Sequence, residues 1–139
     1  MQDSKYENYW INLDIEFKEQ MKIAILATLA SPKSLVRRQI AQILSAIASI
    51  EVPRKEWGDL IPSLCTNAKN NELNIRLASL TTLGYICDEL DTKDIEDPLK
   101  NQIIGALIEN ISAAPDALEP TKLAIKALPN AIPYANQNF

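Results

Sequence analysis

The fold of this chain is predicted from residues 75–87, which read IRLASLTTLGYIC. Apolar side chains recur there at the short intervals that put them on one side of an α-helix with 3.6 residues per turn. The pattern covers residues 72–90 and follows the turn-forming pair Asn70 and Asn71. It predicts an amphipathic helix whose apolar face lies in the core. The apolar positions are Ile75, Ala78, Leu80, Leu83, Ile86, Cys87 and Leu90.

Two further segments repeat this order of residues. Residues 36–48 overlay residues 75–87 with an offset of 39, and a segment that begins at Leu123 overlays them with an offset of about 45. Each segment has a basic residue early and small apolar residues late. A period of roughly 40–47 residues with two helices per unit is typical of HEAT-type repeats. The alternative is a generic helical bundle in which the similarity is accidental.

Prolines, asparagines and an acidic linker divide the chain into helical blocks. Ser31 and Pro32 have the residue types of an N-cap followed by a first helical position. Pro129 and Pro133 interrupt the last block, so we expect its helix to kink or to end early. The predicted blocks cover about residues 14–30, 33–50, 55–68, 72–90, 99–111 and a last stretch from residue 120.

The composition excludes several classes of protein and of active site. The 139 residues include 3 glycines, 8 prolines and no histidine, and 47% of them are apolar. This balance is not that of a disordered chain, of collagen or of a disulfide scaffold, and it argues against a β-barrel or β-sandwich. Without histidine there is no Ser–His or Cys–His catalysis and no histidine-liganded zinc. Because phosphate-binding and nucleophile-elbow motifs are absent as well, we predict a protein that is not an enzyme and binds no cofactor or metal.

Charge and cysteine usage narrow the range of partners. The net charge is −4, and no cluster of lysine and arginine is available for a phosphate backbone, so no nucleic-acid partner is expected. Cys65 and Cys87 stand alone in apolar helical surroundings and are expected to be buried thiols in a reducing compartment. No apolar run approaches the roughly 20 residues that cross a bilayer, so membrane insertion is not expected.

Four local features each have a structural interpretation. The acidic residues between positions 88 and 97 form either a solvated turn between helices or an attraction for a basic partner. Trp57 is interpreted as an anchor at the start of a helix, and Trp10 as a similar staple that precedes the first helix. Gly84 is interpreted as a site where two helices pack closely.

Five short motifs are more specific together than any one of them alone. They are WINLD at residues 10–14, EVP at 51–53, WGDLIP at 57–62, LGYICDELD at 83–91 and QIIGALIE at 102–109. In order and spacing, from about Tyr9 to Phe139, they resemble the N-terminal third of the importin beta (karyopherin beta) family. The resemblance implies an all-α fold, a right-handed α-solenoid of antiparallel helix pairs of the HEAT/armadillo-like superhelical kind.

The resemblance also implies how the helices pair. Residues 1–139 are then a single HEAT-repeat segment from about repeats two to five of a longer protein, and each repeat has an A helix and a B helix. Residues 14–30 are the B helix of an incomplete repeat, and residues 120–139 are the A helix of another. The two complete repeats between them are residues 32–68 and 72–111.

The function implied by the resemblance is that of a nuclear transport receptor, which shuttles between cytoplasm and nucleus through the nuclear pore. Its partners are proteins: Ran-GTP, import cargo or an importin-alpha-type adaptor, and FG nucleoporins. Nucleic-acid binding and membrane insertion are not expected. The alternative is a HEAT-repeat scaffold subunit of a multiprotein complex, for example a phosphatase complex, with no role in transport.

The resemblance assigns Ran and cargo to B helices and FG nucleoporins to the surface between A helices. Polar B-helix positions opposite the apolar stripe are therefore candidate contacts, with simple solvation as the alternative. They are Lys18, Lys22, Ser63, Asn67, Gln102, Glu109 and Asn110. The last block supplies only the first wall of a nucleoporin site, and the candidates in this half-site are Leu123, Ala124, Ala127 and Leu128.

Overall fold

The computed structural model describes residues 4–112 and 114–135, which form seven α-helices and no strand. The predicted all-α fold is confirmed. Short 3₁₀ turns at Thr92–Asp94 and Pro115–Ala117 precede the last two helices. Within the described ranges, no helix combines the length and the hydropathy needed to cross a membrane. The helices are α1 (Ser4–Ile11), α2 (Ile15–Leu29), α3 (Ser34–Glu51), α4 (Leu60–Asn67), α5 (Leu73–Glu89), α6 (Asp97–Glu109) and α7 (Leu118–Ala135).

The helices from α2 onward pack in two rows. We call α3, α5 and α7 the first row, because α5 lies between α3 and α7 and packs on both. We call α2, α4 and α6 the second row, and each of these helices packs on the first-row helix that follows it in the chain. Within the second row α4 packs on α6, whereas contacts between α2 and α4 are sparse at most. This difference leaves an opening in the second row that the first row does not have.

The stretch at residues 75–87 lies in the middle of the first row, because α5 packs on α3 and α7 on its two sides and also on α4. Its Leu80, Leu83 and Ile86 are fully buried. Gly84 faces α7, where a Cβ atom on this residue would lie 3.1 Å from the Cβ of Ala127. The expected close helix packing at Gly84 is confirmed by this contact.

The predicted block at residues 55–68 is wrong at its start, because α4 occupies only Leu60–Asn67. Lys55 and Trp57 each have a φ of 61°, a left-handed conformation that an α-helix cannot contain. The chain therefore leaves α3 through a loop, and Trp57 packs from this loop rather than from a helix. Trp10 was expected to precede the first helix, and this is wrong as well, because Trp10 lies inside α1.

The expected early end of the last helix is also wrong, because α7 continues through Pro129 and Pro133 to Ala135. Both prolines are exposed, as is Ile125, so the ring and the unpaired carbonyl one turn earlier lie on the solvent side. The opposite side of α7 is held in the core, and this packing outweighs the lost hydrogen bonds. Its buried residues are Pro120, Ala124, Ala127, Ala131 and Tyr134. Residues 136–139 of the predicted A helix lie outside the described residues.

Apolar side chains are exposed on the helices at the two ends of the stack. On α7 they form a single stripe with a spacing of seven residues, Leu118, Ile125 and Ile132, all more than half exposed. On α2, Ile15 and Ile23 are 70% and 67% exposed. On α7 the exposed apolar side chains thus form a stripe, whereas elsewhere they are scattered, as at Leu35 on α3 and Ile108 on α6.

Candidate functional site

An apolar groove opens on the second row where α2 and α4 stand apart. This second-row groove has a volume of about 350 Å³. Two candidate contact residues, Ser63 and Asn67, line it one helical turn apart, as their spacing predicts. Both also line a shallower cavity of about 280 Å³ beside it. The apolar lining of the groove comes from Leu26, Leu29, Trp57, Leu60, Leu64, Ile75 and Ala78.

Two further candidates, Gln102 and Glu109, are exposed on α6 and lie two turns apart. Oε1 of Glu109 is 3.0 Å from Nζ of Lys69, and both side chains are 57% exposed. An ion pair in solvent contributes little to stability, so a partner can replace either member at low cost. Gln102 and Glu109 therefore remain predicted contacts.

The prediction that Asn110 faces a partner is wrong, because its side chain is only 3% exposed. Its Nδ2 donates to the carbonyl oxygens of Ala106 and Ala68, at 2.8 and 3.0 Å. Its Oδ1 accepts from Nη2 of Arg76 at 2.9 Å. Asn110 is the first residue after α6, so its amide closes the end of that helix and joins it to α4 and α5. Asn110 therefore stabilises the junction of these three helices.

The prediction that Lys22 is a partner contact is wrong for a related reason, because the residue is buried at 9% exposure. Its ammonium forms an ion pair with Glu51 and lies 4.5 Å from the centroid of the Trp57 ring. Lys18, one turn earlier on the same side of α2, is half-buried, with its Nζ 5.9 Å from the centroid of the Trp10 ring. Lys18 stays a predicted contact.

Glu51 is the residue that organises this cluster, and sequence reasoning missed it. It is the last residue of α3 and only 2% exposed, and its Oε2 accepts a 2.8 Å hydrogen bond from Nε1 of Trp10. The carboxylate thereby connects α1, α2 and α3, and through Lys22 it reaches Trp57. The available signal was that Glu51 follows residues 46–50, AIASI, which are apolar except for Ser49, since a glutamate beside such positions is buried only when it is paired.

The repeated basic residue has a structural function on both α3 and α5. Arg37 on α3 donates to the carbonyl oxygen of Ser31 at 2.8 Å and to Oδ1 of Asn74 at 3.4 Å. Arg76, which is 39 positions later, donates to Asn110. Each arginine thus connects its first-row helix to a neighbouring element, which explains why it recurs early in each unit.

A second groove lies on the first row, between α5 and α7. This first-row groove has a volume of about 170 Å³ and is lined by two candidates, Leu123 and Ala127. They face α5, so the groove that they line has both walls within this chain, and the half-site with a single wall stays a prediction. The remaining lining residues are Arg38, Leu80, Thr81, Gly84, Tyr85, Asp88, Lys126 and Asn130.

The other two half-site candidates do not line this groove. Ala124 is completely buried in the packing of α7, so it is unavailable to a ligand and the prediction for it is wrong. Leu128 is half-buried and packs against the core cluster. Of the four candidates, the half-buried Leu123 is therefore placed where a ligand between the first-row helices can reach it, while Ala127 is 4% exposed and packs against Gly84.

The two cysteines are buried free thiols, as predicted. Burial raises the pKa of Cys65 to about 11 and that of Cys87 to about 12. Because the thiolate is the reactive form, both are inert at neutral pH. The described residues contain no group of histidine, cysteine or acidic side chains able to hold a metal ion.

Over almost its whole length the chain is similar to importin subunit beta-1. It is 34% identical to the Arabidopsis thaliana protein over 140 residues and 27% identical to the Schizosaccharomyces pombe protein over 136 residues. These matches cover 99% and 97% of this chain and 16% of each relative, so the chain spans about one sixth of their length. No protein-family model matches the chain.

Solved structures of importin beta have the same fold. One crystallised in ammonium sulfate matches with a TM-score of 0.89 at 31% identity, over 98% of this chain and 16% of that one. Kap95p with RanGDP matches with a TM-score of 0.89 at 26% identity, over 99% and 17% of the two chains. The Kap95:Nup1 complex matches with a TM-score of 0.82 at 26% identity, over 97% and 16%. The predicted α-solenoid and the resemblance to importin beta are both confirmed.

Proposed function

We propose that this chain, which is homologous to a segment of importin beta, is part of a nuclear transport receptor and acts by binding other proteins rather than by catalysis. In this proposal the receptor shuttles between cytoplasm and nucleus, and it carries cargo directly or through an importin-alpha-type adaptor. The single observation that carries the proposal is the similarity to importin subunit beta-1 along nearly the entire chain. The two grooves on opposite rows supply the surfaces that such a receptor needs.

The second-row groove is the proposed contact for Ran-GTP and cargo. Its apolar floor and its rim of Ser63 and Asn67 combine desolvation with hydrogen bonding, as protein interfaces do. Gln102 and Glu109 extend the polar surface along α6. Support for this choice of partner comes from the Kap95p structure with RanGDP, whose fold matches this chain.

The first-row groove is the proposed contact for the phenylalanine side chains of FG nucleoporins. The half-buried Leu123 and Tyr85 give it an apolar surface, and its volume of about 170 Å³ suits a single aromatic ring. Arg38, Asp88 and Lys126 line the same groove and offer polar contacts to the backbone of a peptide. The Kap95:Nup1 complex supports this choice of partner.

The Ran proposal is tested by isothermal titration of the 139-residue chain with Ran loaded with GTP or with GDP. We expect binding that favours the GTP form by about tenfold or more, which corresponds to about 1.4 kcal/mol. The double variant Asn67→Arg and Gln102→Arg, on the second row, should weaken binding about tenfold. The matched control Gln39→Arg and Gln42→Arg makes the same charge change at exposed positions of α3 and should have little effect. Binding without nucleotide preference, or equal effects of the two variants, would contradict the proposal.

The nucleoporin proposal is tested with a peptide of phenylalanine–glycine repeats and the same peptide with serine in place of phenylalanine. Thr81→Trp fills the first-row groove, and Thr66→Trp makes the same change at an exposed position of α4. We expect only Thr81→Trp to abolish the NMR shifts that the phenylalanine peptide causes. Shifts that persist in Thr81→Trp, or that the serine peptide reproduces, would exclude this groove.

A further inference from the structure

A third cavity lies where the two rows are joined by loops, and we call it the edge groove. It is formed by the loop from α3 to α4 and the loop from α5 to α6, and its volume is about 140 Å³. Its floor is apolar, because Ile61 and Ile95 are 2% and 3% exposed and Val52 and Leu99 are half-buried. It shares no residue with the first-row groove and only Trp57 with the second-row groove.

The wall of the edge groove that Trp57 forms is held in place by the buried cluster of Trp10, Lys22 and Glu51. Trp57 is held in a left-handed backbone conformation, and the ammonium of Lys22 lies 4.5 Å from its ring centroid. Lys22 is in turn paired with Glu51, whose other oxygen accepts from Trp10. A ring held in this way loses little conformational freedom when a ligand packs against it, which favours binding.

The rim of the edge groove is acidic. Glu56, Asp94 and Glu96 line it, and Lys55 is the single cation among the lining residues. Lys55 is 79% exposed and its Nζ is 3.6 Å from Glu96, while Arg54 is 3.6 Å from Glu56 in a pair whose side chains are 44% and 48% exposed. Exposed pairs at such distances contribute little, so a cation from a partner can exchange with them.

We propose that the edge groove binds an extended segment of a protein partner in which one aliphatic side chain is flanked by lysine or arginine. The aliphatic side chain enters the apolar floor beside Trp57, and its basic neighbours meet Glu56, Asp94 and Glu96. A second copy of this chain fits the rim poorly, because the net charge of −4 opposes its approach to an acidic surface. The site shares the Trp57 ring with the second-row groove, whereas Asp94, Ile95 and Glu96 line the edge groove and neither row groove.

The test is an NMR titration of the ¹⁵N-labelled chain with the capped peptide Gly-Lys-Leu-Arg-Gly. The chain has 2 tryptophans and therefore two indole N–H signals, which the variant Trp57→Phe assigns. We expect the Trp57 signal and the amides of residues 55–58 and 94–96 to shift to saturation, while the buried Trp10 signal stays in place. The charge-reversed peptide Gly-Glu-Leu-Glu-Gly should cause no shift, because the rim repels it.

Two glycines provide a matched pair of variants. A Cβ on Gly58, which lines the edge groove, meets nothing within 4 Å, and the same is true of Gly105 on α6. Gly58→Val has room for its Cβ and adds a branched side chain at the groove, and we expect it to raise the Kd for the basic peptide about tenfold or more. Gly105→Val adds the same side chain away from the groove and should change the Kd less than about twofold.

A second pair of variants tests the rim and keeps the proposal decidable if Gly58→Val does not fold. Glu56→Lys with Glu96→Lys should abolish the saturable shift, whereas Glu16→Lys with Asp116→Lys makes the same change in net charge at exposed positions and should retain it. Equal binding of the acidic peptide, or equal losses in the two members of a variant pair, would overturn the proposal. A Trp57 signal that moves with protein concentration alone would overturn it too, by assigning the groove to a second copy.

Discussion

Where α2 meets α3, the helices are joined through a buried ion pair, whereas α5 and α7 meet through small side chains. At the first contact the carboxylate of Glu51, 2% exposed, holds the ammonium of Lys22 and the indole of Trp10. At the second contact Gly84 lies so close to Ala127 that a Cβ would stand 3.1 Å from its neighbour. The junction of α2 and α3 is therefore stable only while the charges of Lys22 and Glu51 neutralise each other. The junction of α5 and α7 forms only while the side chains at positions 84 and 127 are small.

This difference shows what a repeat pattern does and does not specify. The apolar spacing, the early arginine and the late small residues recur in the units and place the helices in rows. The residues that hold a particular pair of helices together, such as Glu51 and Lys22 between α3 and α2, stand outside the repeated pattern. Adjacent junctions of one solenoid can therefore differ in chemistry while the stacking remains the same.

The largest effect is expected from Glu51→Ala, which removes the carboxylate and leaves Lys22 charged and buried. Breaking a buried pair from one side costs about 3–5 kcal/mol, because the remaining charge has lost both its partner and its water. We expect a drop of this size in the free energy of unfolding, measured by urea denaturation. Glu89→Ala, at an exposed position of α5, should change it by less than about 0.5 kcal/mol.

A double variant separates the loss of charge from the loss of packing at this junction. Lys22→Met with Glu51→Gln removes both charges, keeps the volume and leaves an amide oxygen to accept from Trp10. Replacing a buried pair by neutral groups of similar volume is often close to neutral, so we expect recovery of most of the lost stability. If Glu51→Ala alone costs less than about 1 kcal/mol, the ion pair does not hold the junction.

The next effect concerns the opposite junction, where Gly84→Val introduces side-chain atoms against Ala127. Overpacking of this kind costs about 1–3 kcal/mol, because α5 and α7 must move apart. Gly105→Val is the matched control, since nothing lies within 4 Å of a Cβ there, and the higher helix propensity of valine makes it neutral or slightly stabilising. Thermal or urea unfolding of the two variants measures the difference. Equal stability of the two would show that close approach of α5 and α7 is not required.

The features that sequence reasoning identified correctly are local ones. The spacing in residues 75–87 was sufficient to predict α5 and its buried face, because helical periodicity depends on residues three or four apart. Gly84 and the two isolated cysteines were also interpreted correctly, because their neighbours three and four residues away place them on the packed faces of helices. The start of α4 was missed because Lys55 and Trp57 adopt left-handed conformations, which neither residue type favours.

The candidate contacts that failed depend on partners far away in the sequence. Lys22 is buried because Glu51, 29 positions later, accepts its charge, and Asn110 is buried because Arg76 and Ala68 satisfy its amide. A lysine or an asparagine opposite an apolar stripe is normally solvated, so the residue type alone indicates a surface position. Ser63, Asn67, Gln102 and Glu109 stay accessible because no such distant partner buries them.

The smallest effect is expected at the exposed pair of Glu109 and Lys69, whose charged atoms are 3.0 Å apart. This pair is closer to ideal distance than most on the surface, yet both side chains are 57% exposed and water screens the attraction. Glu109→Gln should therefore lower the free energy of unfolding by no more than about 1 kcal/mol, and 1 M NaCl should erase most of the difference. Glu51→Gln, which leaves Lys22 buried without its counterion, should cost clearly more and respond less to salt. Equal costs would mean that burial does not govern the strength of these pairs and that the contrast between the two junctions lies elsewhere.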